Sequence, residues 1–86
     1  METITHEHPL FNRLMYFIHL NIKSTGGCIH TFSNFISACK DFKEFSGIEV
    51  DYKNTLEYLK SHGGFCDCEI MLNVPLREEP AEIILN

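Results

Sequence analysis

The sequence predicts an α+β fold, in which three helices pack around a phenylalanine-rich core and a C-terminal β-strand or short antiparallel hairpin lies beside them. Two observations lead to this fold class. Apolar residues recur at three- and four-residue steps from residue 9 to about residue 60, which is typical of amphipathic helices. From residue 65 to residue 74 they alternate with polar residues, which is typical of a strand.

The first two helices have recognisable ends. The first runs from Pro9 to about Ser24, and Gly26 suits the left-handed position beyond its end. Thr31 or Ser33 is expected to cap the start of the second helix. Phenylalanines then follow at helical spacing, so this second helix is predicted to present a core-facing stripe.

The third helix follows Asp51, a good N-cap, and ends where Gly63 suits the left-handed C′ position. Its last turn contains His62, where positive charge complements the helix dipole. Cys39 lies within the phenylalanine stripe of the second helix and is therefore predicted to be a buried, inert thiol.

The composition is that of one small folded domain. Apolar residues occupy 44% of the 86 positions and seven residues are phenylalanine, which excludes a disordered chain. No apolar run approaches the length of a membrane span and no secretory signal is recognisable, so we expect a cytoplasmic protein. The net charge of −5 opposes binding to nucleic acid or to a membrane, which leaves a protein partner or self-association.

The domain organisation follows from the same patterns. Residues 1–8 are polar and are predicted to be a flexible N-terminus, and residues 9–75 are predicted to form a single compact domain. Residues 76–86 are predicted to contain a loop and a possible second strand over residues 82–85, which can return as an antiparallel partner of the first. If it does not fold back, this apolar run favours dimerisation.

The predicted strand presents two cysteines on one face. Cys66 and Cys68 alternate with Asp67 and Glu69, so the thiols share the inward, apolar face and the carboxylates point away from them. We interpret the carboxylates as solvent-facing or as capping groups for helix ends. The alternative for the two thiols is that they are ordinary core residues.

The thiols of Cys66 and Cys68 favour a zinc site. The pair Cys66-x-Cys68 and the earlier pair Cys28-x-His30 are separated by about one helical hairpin, and together they provide three sulfurs and one nitrogen. Structural zinc takes four such ligands in a tetrahedron. The alternative for His30 is that it is a polar residue near the start of a helix and binds no metal. His62 is then the substitute for the fourth zinc ligand.

The function that follows is a small zinc-stapled interaction module without catalytic activity, because a structural zinc ion supplies much of the folding free energy of a small domain. One alternative is a zinc-dependent hydrolase or a thiol-based redox protein that uses the Cys66 and Cys68 cluster with Glu69 or His62. Redox exchange is disfavoured because Cys-x-Cys closes a strained ring. Another alternative is a metal-free oligomeric adaptor.

Two motifs resemble the signature of a small bacterial family of unknown function. Residues 63–70 resemble its Gly-Gly-aromatic-Cys-Asp-Cys-Glu-aliphatic run, with Asn-Val soon after, and residues 28–31 resemble its earlier Cys-x-His-Ser/Thr motif. The resemblance extends over about residues 10–75 and implies a bacterial, cytoplasmic and compact protein. It brings no established activity, but it singles out the same four residues: Cys28, His30, Cys66 and Cys68.

Overall fold

The computed structural model of the protein describes residues 1–27 and 31–78, and within these ranges the fold is entirely helical. The helices are α1 (Phe11–Ser24), α2 (Ser33–Ser46), α3 (Tyr52–Ser61) and α4 (Asp67–Asn73). The prediction of an α+β fold is therefore wrong, because the stretch expected to form the strand forms α4 and no strand occurs elsewhere in the described ranges. The possible second strand over residues 82–85 lies outside the described residues.

The alternating pattern of α4 was compatible with both a strand and a helix. Asp67 and Glu69 lie in its first turn, where negative charge is favoured by the helix macrodipole. Ile70 and Val74, four residues apart, are both buried, whereas Leu72, which the alternation assigned to the same face, is 80% exposed. The same stretch also contains a helical face made of Ile70, Met71 and Val74, so its apolar positions fit both periods, and the acidic first turn is the signal that favours the helix.

The C-terminal ends of α1 and α2 and the start of α3 follow signals in the local sequence. α1 and α2 end shortly before Gly26 and Gly47, whose φ angles are +82° and +77°. At the start of α3, the Asp51 carboxylate accepts the Asn54 N–H at 3.2 Å, which is the bond expected of an N-cap. These ends depend on residues adjacent in sequence.

The N-terminal segment lies against the link between α2 and α3. The Glu2 N–H donates to the Glu49 carbonyl at 2.8 Å and the Glu2 carbonyl accepts the Asp51 N–H at 2.7 Å, which makes an isolated parallel bridge. Ile4 is fully buried, and its N–H donates to the hydroxyl of buried Thr55 in α3 at 3.0 Å. These contacts join residues 2–4 to the core. The sequence did not indicate this, because the neighbouring residues are mostly polar.

The core combines side chains from all four helices and from the N-terminal segment. α1 packs along α2, and α4 packs against both. Phe11 of α1 meets Tyr58 of α3 edge to face, and Phe35 of α2 meets Tyr52 in the same way, with ring centroids about 6 Å apart. The largest fully buried apolar side chains are Ile4, Phe11, Leu14, Ile18, Phe35, Phe42, Leu59 and Ile70.

A Schellman turn at the double glycine leads the chain from α3 towards α4. Gly63 has a φ of +91° and its N–H donates to the Lys60 carbonyl at 3.0 Å, while the Gly64 N–H donates to the Leu59 carbonyl at 2.8 Å. A Cβ at Gly64 would lie 2.8 Å from Cγ1 of Ile70 and 3.0 Å from the Leu59 oxygen. Glycine therefore permits the close approach of α4 to the end of α3.

We expect the Gly64→Ala substitution to lower the free energy of unfolding by about 1–3 kcal/mol, because the added methyl must displace Ile70 or the Leu59 carbonyl. Gly47→Asn is the matched control. Its φ is also positive, but no atom lies within 4 Å of the added Cβ and asparagine tolerates this conformation. Urea unfolding of both variants makes the comparison, and equal losses would contradict a packing role for Gly64.

Candidate metal centre

The structure describes half of the predicted zinc ligands. Cys66 is the N-cap residue of α4, with an extended backbone, and its side chain is buried. Cys68 lies in the first turn of α4 and is partly buried. Cys28 and His30 lie outside the described residues, so the structure does not test whether the four ligands converge.

The predicted strand face that joined the two thiols does not form, because Cys68 lies in α4 and Cys66 is the residue that precedes this helix. The prediction that Cys66 and Cys68 share an inward strand face, opposite Asp67 and Glu69, is therefore wrong. Asp67, which the strand pattern placed on the outward face, is 1% exposed. The N-cap residue Cys66 has φ −161° and ψ 175°, so its own side chain does not follow the helical rotation.

Glu69 lies beside one of the thiols. The Cys66 thiol donates to Oε1 of Glu69, with 3.8 Å between sulfur and oxygen. The two residues occupy the N-cap and N3 positions of α4, which is the spacing of a capping box. Because α4 is helical, a carboxylate that the strand pattern placed on the opposite face instead contacts the thiol.

The carboxylate of Asp67 caps α2 from the start of α4. Its Oδ2 accepts the Asn34 N–H at 2.9 Å and its Oδ1 accepts the Phe35 N–H at 3.0 Å, and both hydrogen bonds are buried. The Asp67 N–H donates in turn to the Thr31 carbonyl at 3.0 Å. We call these three hydrogen bonds the Asp67 clamp, and they join the start of α4 to the start of α2.

The Asp67 clamp adds to the local cap predicted for α2. Phe32 occupies the N-cap position of α2 and provides no capping side-chain hydrogen bond. The Thr31 hydroxyl accepts the Ser33 N–H at 3.3 Å, as expected, and Asp67 accepts the next two N–H groups of the helix. The interpretation of Asp67 as a helix-capping group is confirmed, but its predicted exposure to solvent is wrong, because the residue is only 1% exposed. Its partners are 32 and 33 residues away in sequence, and no local pattern identifies them.

Burial and hydrogen bonding act in opposite directions on Asp67. Burial, the larger effect, raises the pKa of its carboxyl above the usual value, and the hydrogen bonds from the backbones of Asn34 and Phe35 and from the Asn34 side chain lower it. The Asn34 side chain is held in turn by the Thr25 hydroxyl, which donates to its Oδ1 at 3.2 Å. The clamp therefore contains a carboxyl whose charge is opposed by burial and supported by a helix N-terminus.

The substitute ligand His62 is exposed and makes local contacts at the end of α3. Its Nδ1 lies 3.0 Å from the Tyr58 carbonyl and 3.0 Å from the Ser61 hydroxyl, and its ring packs on that of Tyr58 with centroids 4.4 Å apart. It lines a cavity with residues 5–7 of the N-terminal segment, and neither Cys66 nor Cys68 lines that cavity.

The predicted burial of the remaining described thiol is confirmed. Cys39 is 2% exposed within the core, and burial raises its pKa to about 12. At neutral pH it therefore carries a proton and is a poor nucleophile and a poor metal ligand.

Within residues 1–27 and 31–78, no group of three or more His, Cys, Asp or Glu side chains is arranged to hold a metal ion. Completing a tetrahedral set with Cys66 and Cys68 requires residues beyond those ranges. The described part nevertheless brings the flanks of the two motifs together. Thr31 follows His30 directly in sequence, and its carbonyl accepts a hydrogen bond from Asp67, the residue between the two cysteines.

The described residues thus define a small helical protein whose polar and thiol groups gather where α2 and α4 begin. Residues 16–73 match the family described as "Protein of unknown function (DUF2695)", and the chain belongs to that family. The expected membership of a family of unknown function is confirmed. No curated protein and no solved structure matches the chain. None of the helices described here has the length and apolar character needed to cross a membrane.

We expect the Asp67→Ala substitution to lower the free energy of unfolding by about 2–4 kcal/mol, because each buried N–H that loses its acceptor costs about 1–3 kcal/mol. Asp51→Ala, which removes the solvent-accessible cap of α3, is the control and should cost about 1 kcal/mol. Denaturant unfolding of the two variants compares them, and an Asp67→Ala loss no larger than that of Asp51→Ala would contradict the importance of the clamp.

The raised pKa of Asp67 predicts a pH dependence of stability with a definite sign. Because the folded protein holds this proton more tightly than the unfolded chain, the contribution of Asp67 is fully present below the ordinary value of 3.8 and is lost as the pH rises through the folded pKa. The stability of the wild type relative to Asp67→Asn should therefore decrease from about pH 4 to pH 7. Urea unfolding across this range measures it, and the opposite slope would show that hydrogen bonding outweighs burial.

Proposed function

We propose that the protein is a small zinc-stapled interaction module without catalytic activity, in which Cys28, His30, Cys66 and Cys68 hold one zinc ion. One observation carries this proposal. The 3.0 Å hydrogen bond between the Thr31 carbonyl and the Asp67 N–H brings the residue that follows the first pair against the residue between the two members of the second pair. The backbones that flank both motifs therefore meet at one place.

The position of the described cysteines supports a structural role for the ion. Cys66 is buried at the start of α4, and its carbonyl accepts the N–H of the core residue Ile70 at 3.0 Å. A zinc ion held by four protein ligands has no open position for a substrate, and it cross-links segments that are distant in sequence. In a chain of 86 residues, such a link stabilises a core of limited size.

The choice of the fourth ligand favours His30 over His62. The Nδ1 atom of His62 already contacts the Tyr58 carbonyl and the Ser61 hydroxyl, and the side chain lines a cavity beside the N-terminal segment. His30 is adjacent in sequence to Thr31, which is part of the Asp67 clamp. A ligand at position 30 therefore requires no rearrangement of α3.

An exposed aromatic surface on α1 and α2 supports the interaction part of the proposal. Tyr16 and Phe45 are 50% and 54% exposed. The Arg13 guanidinium lies 4.9 Å from the ring centroid of Phe45 and 5.8 Å from that of Tyr16. Arginine and aromatic side chains are the residue types enriched in protein interfaces.

A second candidate is a metal-free interaction module, and the Asp67 clamp favours it. The clamp already joins the start of α2 to the start of α4 through three hydrogen bonds without any ion. In that case Cys66 and Cys68 serve as small packing residues, and the stability of the domain rests on the buried carboxylate. The zinc content of the protein decides between the two candidates.

We expect protein purified without a metal-affinity tag to contain about one equivalent of zinc and to melt at a lower temperature after chelation. Cys66→Ala should lose the ion because it removes one of four ligands. Cys39→Ala is the matched control, since this thiol is also buried but belongs to the core, and it should retain zinc.

Elemental analysis and thermal melting with and without a chelator provide both measurements. Absence of zinc together with unchanged melting would contradict the zinc staple and support the metal-free module. An ion with three protein ligands and one bound water would instead favour the hydrolase alternative, in which Glu69 beside Cys66 is the available base.

A further inference from the structure

An apolar groove runs between α1 and α4. It is bounded by side chains of both helices and by residues that follow α4, and we call it the α1/α4 groove. Its lining includes Asn12, Met15, His19, Met71, Val74 and Leu76. Asn12 and His19 are two turns apart on α1, so the groove extends for about 10 Å along that helix.

The described chain ends beside this groove. The Arg77 N–H donates to Oδ1 of Asn12 at 2.7 Å, and Nδ2 of Asn12 donates to the Arg77 carbonyl at 2.6 Å. This reciprocal pair fixes Arg77 against the first turn of α1. The preceding residue, Leu76, is 60% exposed where it lines the groove. The residues after Glu78 therefore start at one end of an incompletely covered apolar surface.

The C-terminal segment, residues 79–86, has the hydrophobicity that this groove requires. It contains the consecutive aliphatic residues Ile83, Ile84 and Leu85. Their predicted partner was the strand over residues 65–74, and that stretch forms α4 and the turn before it. The hairpin pairing expected for this apolar run is therefore excluded, because the first strand does not exist.

The charge of the segment is opposite to that of α1, one of the two helices that border the groove. Its carboxylates, Glu79 and Glu82, follow Glu78 at the end of the described chain. α1 contains Arg13 and Lys23 and no acidic residue, whereas α2, α3 and α4 each contain at least one. An acidic and aliphatic peptide is thus better suited to α1 than to the other helices.

The segment is long enough to reach along the groove. Ile83 is five positions after Glu78, and an extended chain covers about 3.3 Å per residue, so the aliphatic run begins up to about 17 Å from Glu78. This exceeds the distance of about 10 Å from Asn12 to His19. The run can therefore lie over the groove without moving the Arg77 contacts.

We propose that residues 79–86 of the same chain dock in the α1/α4 groove, with their aliphatic run packed against its apolar lining, which includes Met15 and Met71. The proposal is independent of zinc, because neither Cys66 nor Cys68 lines the groove. It assigns an occupant to a surface that the described residues leave partly open.

The test uses NMR on the full-length chain. Nuclear Overhauser contacts are expected between the methyl groups of Ile84 and the side chains of Met15 and Met71. The Ile84→Asp variant should lose these contacts and shift the amide resonances of the groove residues. Leu72→Asp is the matched control, because Leu72 is 80% exposed on α4 but does not line the groove, and it should leave the contacts in place.

Two results would overturn the proposal. One is the absence of contacts between the segment and the groove in the wild type, with groove resonances that are unchanged in Ile84→Asp. The other is contacts that appear only between differently labelled chains in a mixed sample, which would assign the groove to the segment of a second copy. Zinc content is expected to be the same in all three proteins, so the outcome does not depend on the zinc staple.

Discussion

The buried carboxylate of Asp67 is the interaction on which the arrangement of α2 and α4 depends. It satisfies two buried N–H groups at the start of α2, and its own N–H is bonded to the Thr31 carbonyl. The first N–H groups of any helix lack partners within that helix, so a buried helix start needs an acceptor from elsewhere. Here the acceptor comes from a residue more than thirty positions away.

The clamp depends in turn on how α3 leads into α4. The Schellman turn at Gly63 and the missing side chain at Gly64 allow α4 to begin close to the end of α3. This places Asp67 in the first turn of α4, opposite the N–H groups of Asn34 and Phe35. The Asp67 clamp therefore depends on both glycines. A change in the path of the turn would move the Asp67 carboxylate away from the N–H groups that it accepts.

The candidate site could be predicted from the sequence only in part. The burial of Cys39 follows from its place in an apolar stripe, and the structure confirms it. The face assigned to Cys66 and Cys68 was wrong because it was derived from the two-residue period of a strand. The sequence identified Asp67 as a possible capping group. It could not identify α2 as the helix that Asp67 caps, because packing between distant segments brings the two together.

The features that can be derived from the amino-acid sequence alone are those that depend on neighbouring residues. The ends of α1, α2 and α3 follow from glycines in the left-handed conformation and from the Asp51 cap, whose energies are local. Packing between distant segments selects the helix over residues 67–73 and buries Asp67. This stretch contains both a two-residue and a helical apolar pattern, and the helix is selected because it buries Ile70 and Val74 while Asp67 reaches the open N-terminus of α2.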